Sequence, residues 1–140
     1  MHTEHRIDID APPERVWSVM TDIERWPEMT PSVTSVELTP RGSLAPTSEA
    51  RIVQPKFGSN VWRVTALDPG RSFTWETRRP GAKMVGTHTI EARPGGGSTV
   101  TLAVDSTGLA VTLVGWMLKS TGRRFIEQEA AGLKRLSEAG

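Results

Sequence analysis

The chain contains no cysteine, which excludes disulfides, thiolate nucleophiles and every zinc site built on Cys. Histidine is scarce. His2 and His5 sit near the start and His88 stands alone in a strand-like segment, so no metal-binding spacing arises. Charge of one sign is missing as well: 17 basic and 16 acidic residues leave a net charge of +1. A nucleic-acid partner, which needs a basic face or stripe, is therefore not expected. No apolar run reaches the roughly 20 residues of a membrane span. Leu109–Leu118 is apolar but short, and it continues into a charged amphipathic pattern. Stable membrane insertion is not expected, and the opening residues do not read as a secretory leader. Gly95-Gly96-Gly97 falls between two strand-like segments and opens no helix, so it is a hairpin turn and not a phosphate cradle. The expectation from these absences is a soluble, cytoplasmic protein with no metal and no cofactor.

What the chain does have is one strong helical pattern at its end. With 140 residues it has the length of a single domain, 1–140, able to bury a real core. From Leu109 to Gly140 apolar residues recur at helical spacing through Val111, Val114, Leu118, Phe125, Ala130, Leu133 and Leu136. About 28 such residues would make a rod of roughly 42 Å, the width of the domain. Before it, Glu4–Asp10 alternates as a half-buried strand. Ala11-Pro12-Pro13-Glu14 then stops the strand and starts a short helix, because proline has no N–H to lose in a first helical turn. A second short helix over Ile23–Trp26 ends at Pro27. Six strand-like segments follow: Val33–Thr39, Glu49–Gln54, Val61–Leu67, Ser72–Arg78, Lys83–Arg93 and Thr99–Ser106. Turn signals such as Asp68-Pro69-Gly70 and Arg79-Pro80-Gly81 separate them. Short connections imply an antiparallel meander. The fold class expected is α+β, a sheet of about seven strands with one long helix, in the order β-α-α-β-β-β-β-β-β-α. One helix about 10 Å across cannot cover so wide a flat sheet. The sheet must curl round it, and unfilled space between them becomes a pocket.

The segment Ile9-Asp10-Ala11-Pro12-Pro13-Glu14-Arg15-Val16-Trp17, then Thr21-Asp22-Ile23-Glu24-Arg25-Trp26-Pro27, resembles the opening of the polyketide cyclase/dehydrase-like proteins. The likeness continues through Gln54-Pro55, Trp62-Arg63-Val64-Thr65, Leu67-Asp68-Pro69-Gly70-Arg71 and Phe73-Thr74-Trp75. Gly97–Leu102 and Glu129–Lys134 resemble the family's penultimate hairpin and the end of its last helix. Those proteins belong to the START-related, birch-pollen-allergen-like superfamily (SRPBCC), so the resemblance implies a helix-grip fold. It implies no single activity, since the superfamily holds cyclases, lipid carriers and hormone receptors and the matching residues are turns, caps and core.

Alternation assigns the inward faces. Trp62, Val64 and Ala66 share one side, as do Phe73, Trp75 and Thr77; Met84, Gly86, His88 and Ile90; Val100, Leu102 and Val104; and Ile52 with Gln54. Among these, His88 is the candidate catalytic residue: an inward imidazole can orient a ligand carbonyl or hydroxyl, or act as acid or base near neutral pH. It can equally be a buried histidine satisfied by a neighbour, and no carboxylate is placed by the sequence to form a dyad with it. The candidate ligand contacts are Gln54, Trp62, Phe73, Trp75, Met84, His88, Val104, Met117 and Thr121. Aromatic faces suit ring-bearing ligands and methionines adapt to varied ones, although core packing accounts for such residues too. Trp17 and Trp26 read as hinge and core, and Trp116 fits either the outer face of the helix or the cavity mouth. Gly115 and Gly122 each cost a helix up to about 1 kcal/mol, which calls for close packing or for space left to a ligand. Arg123-Arg124 reads as a solvated face.

Three functions follow from this reading. The first is binding of a hydrophobic small molecule, such as a polyketide-like, isoprenoid or lipid compound. The second is a cyclase or dehydratase acting on a poly-carbonyl chain in the same cavity. The third is an interaction protein using the long helix, and a homodimer stays open.

Overall fold

The computed structural model describes all residues from Met1 to Gly140. Strand β1 (His2–Ile9) leads into α1 (Pro13–Thr21), a single 3-10 turn (Ile23–Arg25) and the one-turn α2 (Trp26–Met29). Six strands follow, β2 (Ser35–Thr39), β3 (Glu49–Gln54), β4 (Gly58–Asp68), β5 (Ser72–Arg79), β6 (Ala82–Ala92) and β7 (Ser98–Thr107), and α3 (Leu109–Ala139) closes the chain. All seven strands form one antiparallel sheet in the order β1-β7-β6-β5-β4-β3-β2. The first strand thus closes on the last, while the rest pair with their sequence neighbours. This is the helix-grip arrangement.

Local sequence explains most of the boundaries. Pro13 occupies the first turn of α1, whose Val16 and Met20 are fully buried. Trp26 folds back so that its indole N–H donates to the Met20 carbonyl at 3.1 Å, which pins α2 against α1. Along β5, Phe73, Trp75 and Thr77 are buried while their neighbours are not, as period-two alternation requires. Strand β4 departs from that rule. A bulge between Val64 and Ala66 shifts the register against β5, so Ala66 is exposed and Leu67 packs on the core instead. An extra residue in one strand reverses the faces beyond it, and the inward placement of Ala66 is corrected accordingly.

The sheet bends strongly. Thr3 of β1 and Ile52 of β3 line the same cavity, yet five strand spacings of about 4.8 Å separate their strands, roughly 24 Å if the sheet were flat. The concave face holds Ile9, Trp62, Val64, Phe73, Trp75, Ile90, Val100 and Leu102, and α3 adds Ile126, Ala130 and Leu133 to the same core. The C-terminal half of α3 is stitched in place. Lys134 Nζ donates to the Asp8 carbonyl at 3.0 Å and to Glu138 at 2.6 Å, and Glu138 also accepts from the Asp10 N–H at 2.8 Å. Arg15 Nη2 donates to the Leu136 carbonyl at 3.0 Å. The N-terminal half is held far less, with only Gly115 and Thr121 buried between Leu109 and Arg124.

At the sheet seam, exposed His2 lies 2.6 Å from Asp105 across the β1–β7 pair and 3.1 Å from Glu4. Asp105 first, then Glu4, raise its pKa above 6.5. A raised folded value means that the contribution to stability is complete below pH 6.5 and fades as pH rises through the folded pKa. We therefore expect the melting temperature to decline slightly over that interval, an effect that added salt or His2→Ala flattens. An unchanged pH dependence in the His2→Ala protein would count against this pairing.

Candidate functional site

Between the concave sheet and α3 lies a cavity of about 170 Å³. At one water per ~10–15 Å³ of such space it has room for on the order of ten waters, which matches a ligand of a few rings. Fifteen of its 24 lining residues are hydrophobic, so empty space here favours an apolar guest over water. Six of the seven strands contribute to the lining, and α3 contributes Val111, Gly115, Leu118, Gly122, Phe125, Ile126 and Glu129.

The floor is an aromatic cluster around His88 on β6. The imidazole stacks on Phe73, its neighbour on β5, at 4.0 Å between centroids and 9° between planes. Trp75 meets it edge-on at 5.4 Å, and Trp26 leans on it at 5.9 Å. Trp62 and Trp75 are tilted together at 5.7 Å. Gly86, opposite Trp75 in the ladder, leaves the room that the Trp75 indole fills: a Cβ there would come within 3.0 Å of Trp75 Nε1. Two polar atoms in this cluster have no protein partner, Trp62 Nε1 and His88 Nδ1. His88 Nε2 faces an acid. It lies 3.4 Å from Oε1 of Glu129, which reaches down from α3 with a mostly buried side chain. An ionised carboxylate only accepts, so the imidazole tautomer that carries its proton on Nε2 is the one that suits Glu129, and in that tautomer the unpartnered Nδ1 is an acceptor.

Six of the nine candidate contacts line this cavity: Gln54, Trp62, Trp75, Met84, His88 and Val104. Phe73 does not line the cavity. It is fully buried behind His88, wedged between Trp17, Trp75 and the imidazole, and acts as backing for the ring. Thr121 is buried outside the lining, and Met117 is 59% exposed on the far side of α3. Each residue turns a helix by about 100°, so Thr121 and Met117, one step before Gly122 and Leu118, face elsewhere. Trp116 is exposed on the outer face. Trp26, read as core, is buried and also lines the cavity. The carboxylate partner of His88 was missed altogether. Its signal was available: Glu129 falls on the spacing of Gly122, Phe125 and Ile126, an acid on the apolar side of an amphipathic helix.

The model of the family described as polyketide cyclase / dehydrase and lipid transport matches residues 1–138. The chain belongs to that family. Among its relatives is a Streptomyces cyaneus protein whose name proposes a polyketide cyclase, 36% identical over 61 residues. That alignment spans 44% of this chain and 40% of the relative. Solved structures with the same fold include a hypothetical protein from Helicobacter pylori, with TM-score 0.85 at 8% identity, covering 98% of this chain and 88% of that one. The ZhuI aromatase/cyclase from Streptomyces sp. R1128 matches with TM-score 0.72 at 19% identity over 99% and 92% of the two chains. One half of the di-domain aromatase/cyclase BexL, from the BE-7585A biosynthetic pathway, matches at TM-score 0.72 and 23% identity, over 99% of this chain and 46% of that one. At these identities the solved structures show the shared fold alone. No helix of this family member is long and apolar enough to cross a membrane.

Proposed function

We propose that the cavity binds a hydrophobic, ring-bearing small molecule of polyketide, isoprenoid or related lipid type, with one hydroxyl directed at Glu129. The single observation that supports this reading most is a largely apolar cavity in which an imidazole and a carboxylate, His88 and Glu129, lie 3.4 Å apart over an aromatic floor. Trp62 and Trp75 offer ring faces to a flat guest. Glu129, when ionised, accepts and cannot donate, so a phenolic or enolic hydroxyl suits it better than a bare ketone. The test is titration with anilinonaphthalene sulfonate, followed by its displacement by polycyclic phenols, with the melting temperature read in parallel. Dose-dependent stabilisation is expected. A protein that neither takes up the dye nor responds to any phenol, and that carries no co-purified compound in native mass spectrometry, would defeat the reading.

The same pair supports a second reading, a cyclase or dehydratase acting on a poly-carbonyl chain. Glu129 would take the proton α to a carbonyl, and His88 behind it would hold the carboxylate in place. As the carbon–oxygen bond to a β-hydroxyl breaks, the same proton returned to the departing oxygen gives water and leaves the carbon–carbon double bond. Cavity shape would contribute by holding one reactive conformer. If this reading holds, Glu129→Gln lowers kcat by about 100-fold or more, with dye binding preserved. Equal turnover in the Glu129→Gln protein would exclude Glu129 as the base, and absence of turnover in the native protein leaves the binding role alone.

A further inference from the structure

The N-terminal half of α3 is apolar on two opposite sides. One side, through Val111, Gly115, Leu118 and Gly122, lines the cavity. The other side is bare: Leu109, Leu113, Trp116 and Met117 are 70%, 64%, 74% and 59% exposed. Their spacing of i, i+4, i+7 and i+8 puts all four on one stripe. Large apolar side chains scattered singly over a surface are ordinary, but four on one helical stripe mark a contact face.

The charge alongside this stripe is of one sign as far as Ile126, and the first acid, Glu127, comes only after Arg123 and Arg124. Between Leu109 and Ile126 the helix carries Lys119, Arg123 and Arg124 and no Asp or Glu. All three basic residues lie at the edges or end of the stripe, exposed, and none takes part in an ion pair. The β5–β6 turn adds Arg78, Arg79 and Lys83, against the single acid Glu76, and is bonded to the start of α3 through the Ala110 N–H and the Gly81 carbonyl at 2.8 Å. A second copy of the chain is a poor occupant. A two-fold interface would set basic side chains of the two copies against each other, with no acid between Leu109 and Ile126 to answer them. A tryptophan and leucines on one side, with basic side chains at the edge, fit the boundary between acyl chains and anionic headgroups.

We propose that the outer face of α3, from Leu109 to Arg124, docks the protein on an anionic lipid bilayer surface, with the helix lying in the interface. The inference stands apart from the ligand reading, since it needs no occupant in the cavity. It does place the cavity-lining side of the same helix within one helix diameter of the lipid, which suits loading or release of an apolar guest.

The test is co-sedimentation with vesicles of equal parts phosphatidylglycerol and phosphatidylcholine, against vesicles of phosphatidylcholine alone. The native protein should pellet with the anionic vesicles, lose binding as salt is raised, and show a blue shift of tryptophan emission. The double variant Leu113→Ser, Trp116→Ser should stay in solution and lose the shift while keeping its melting temperature, because neither side chain is part of the core. Arg123→Glu with Arg124→Glu should weaken partitioning by about 30-fold or more, at roughly 1 kcal/mol for each basic residue removed. Failure to pellet with anionic vesicles, or pelleting unchanged in both variants, would overturn the proposal. So would a dimer in analytical ultracentrifugation that Leu113→Ser, Trp116→Ser converts to monomer, which would reassign the face to self-association. Equal binding to neutral vesicles would remove the electrostatic part on which the choice of occupant rests.

Discussion

Gly132→Ala is expected to be the most damaging single-methyl change in the chain. The methyl group would lie 1.9 Å from the backbone oxygen of Met29 and 2.8 Å from its carbonyl carbon. Backbone at the end of α2 cannot move aside as a flexible side chain could. The two helices would have to separate, with loss of the bonds from Arg135 Nη2 to the Met29 and Glu28 carbonyls at 3.1 and 3.3 Å. Overpacking of this kind costs about 3 kcal/mol or more, roughly 10 °C in melting temperature for a chain of this size. The damage also reaches the site. Trp26 begins α2 and Glu129 lies one turn before Gly132, so separating the helices pulls Glu129 away from His88. Gly115→Ala is the matching control, because its methyl would meet only side-chain atoms, Val111 Cγ1 at 3.1 Å and the flexible end of Met1 at 3.3 Å, and no backbone. It should be close to neutral once the better helix propensity of alanine is included. Denaturant midpoints for the two proteins decide the matter. A Gly132→Ala protein as stable as the native one would mean that α3 does not sit against α2 as described.

How far the sequence disclosed this arrangement depended on whether the information was local. Period-two alternation placed Phe73, Trp75, Met84, His88 and Leu102 on the concave side, and each is found there, because side-chain direction in a regular strand depends only on the neighbours. The same rule failed at Ala66, where one inserted residue in β4 reverses the faces and leaves no mark in composition. In α3 the difficulty was different. Its N-terminal half is apolar on two sides, so hydrophobic spacing alone could not separate the lining residue Leu118 from the exposed Met117, or say where Trp116 goes. The pairing of Glu129 with His88 joins residues brought together only by closure of the sheet around α3, so local reading reached the histidine and missed its partner. Recurrent turn and cap residues, from Ala11-Pro12-Pro13-Glu14 to Asp68-Pro69-Gly70, were enough for the family, and they carry no information on what occupies the cavity. Of the three glycines in the body of α3, Gly115 and Gly122 drew notice by interrupting an apolar run. Gly132 is the one that the packing cannot replace, because only the backbone of α2 makes it necessary.

Gly122 offers the sharpest separation of folding from binding. It lines the cavity, yet a Cβ built on it meets nothing within 4 Å. Packing does not require glycine there, and a residue with better helix propensity should stabilise α3 by up to about 1 kcal/mol. Gly122→Leu should therefore raise the denaturant midpoint while its side chain occupies space that a guest would need. The bound state would have to expel or displace that side chain, so dye uptake and ligand-induced stabilisation should fall by at least about tenfold, equivalent to 1.4 kcal/mol. Gly122→Ala should share the gain in stability and keep most of the binding, since one methyl takes up little of the hollow. The pairing of opposite signs is what makes the experiment decisive: a variant that binds less because it is less folded would show both quantities falling together. Binding undiminished in a stable Gly122→Leu protein would place the guest elsewhere on the molecule and end the assignment of this cavity as the ligand site.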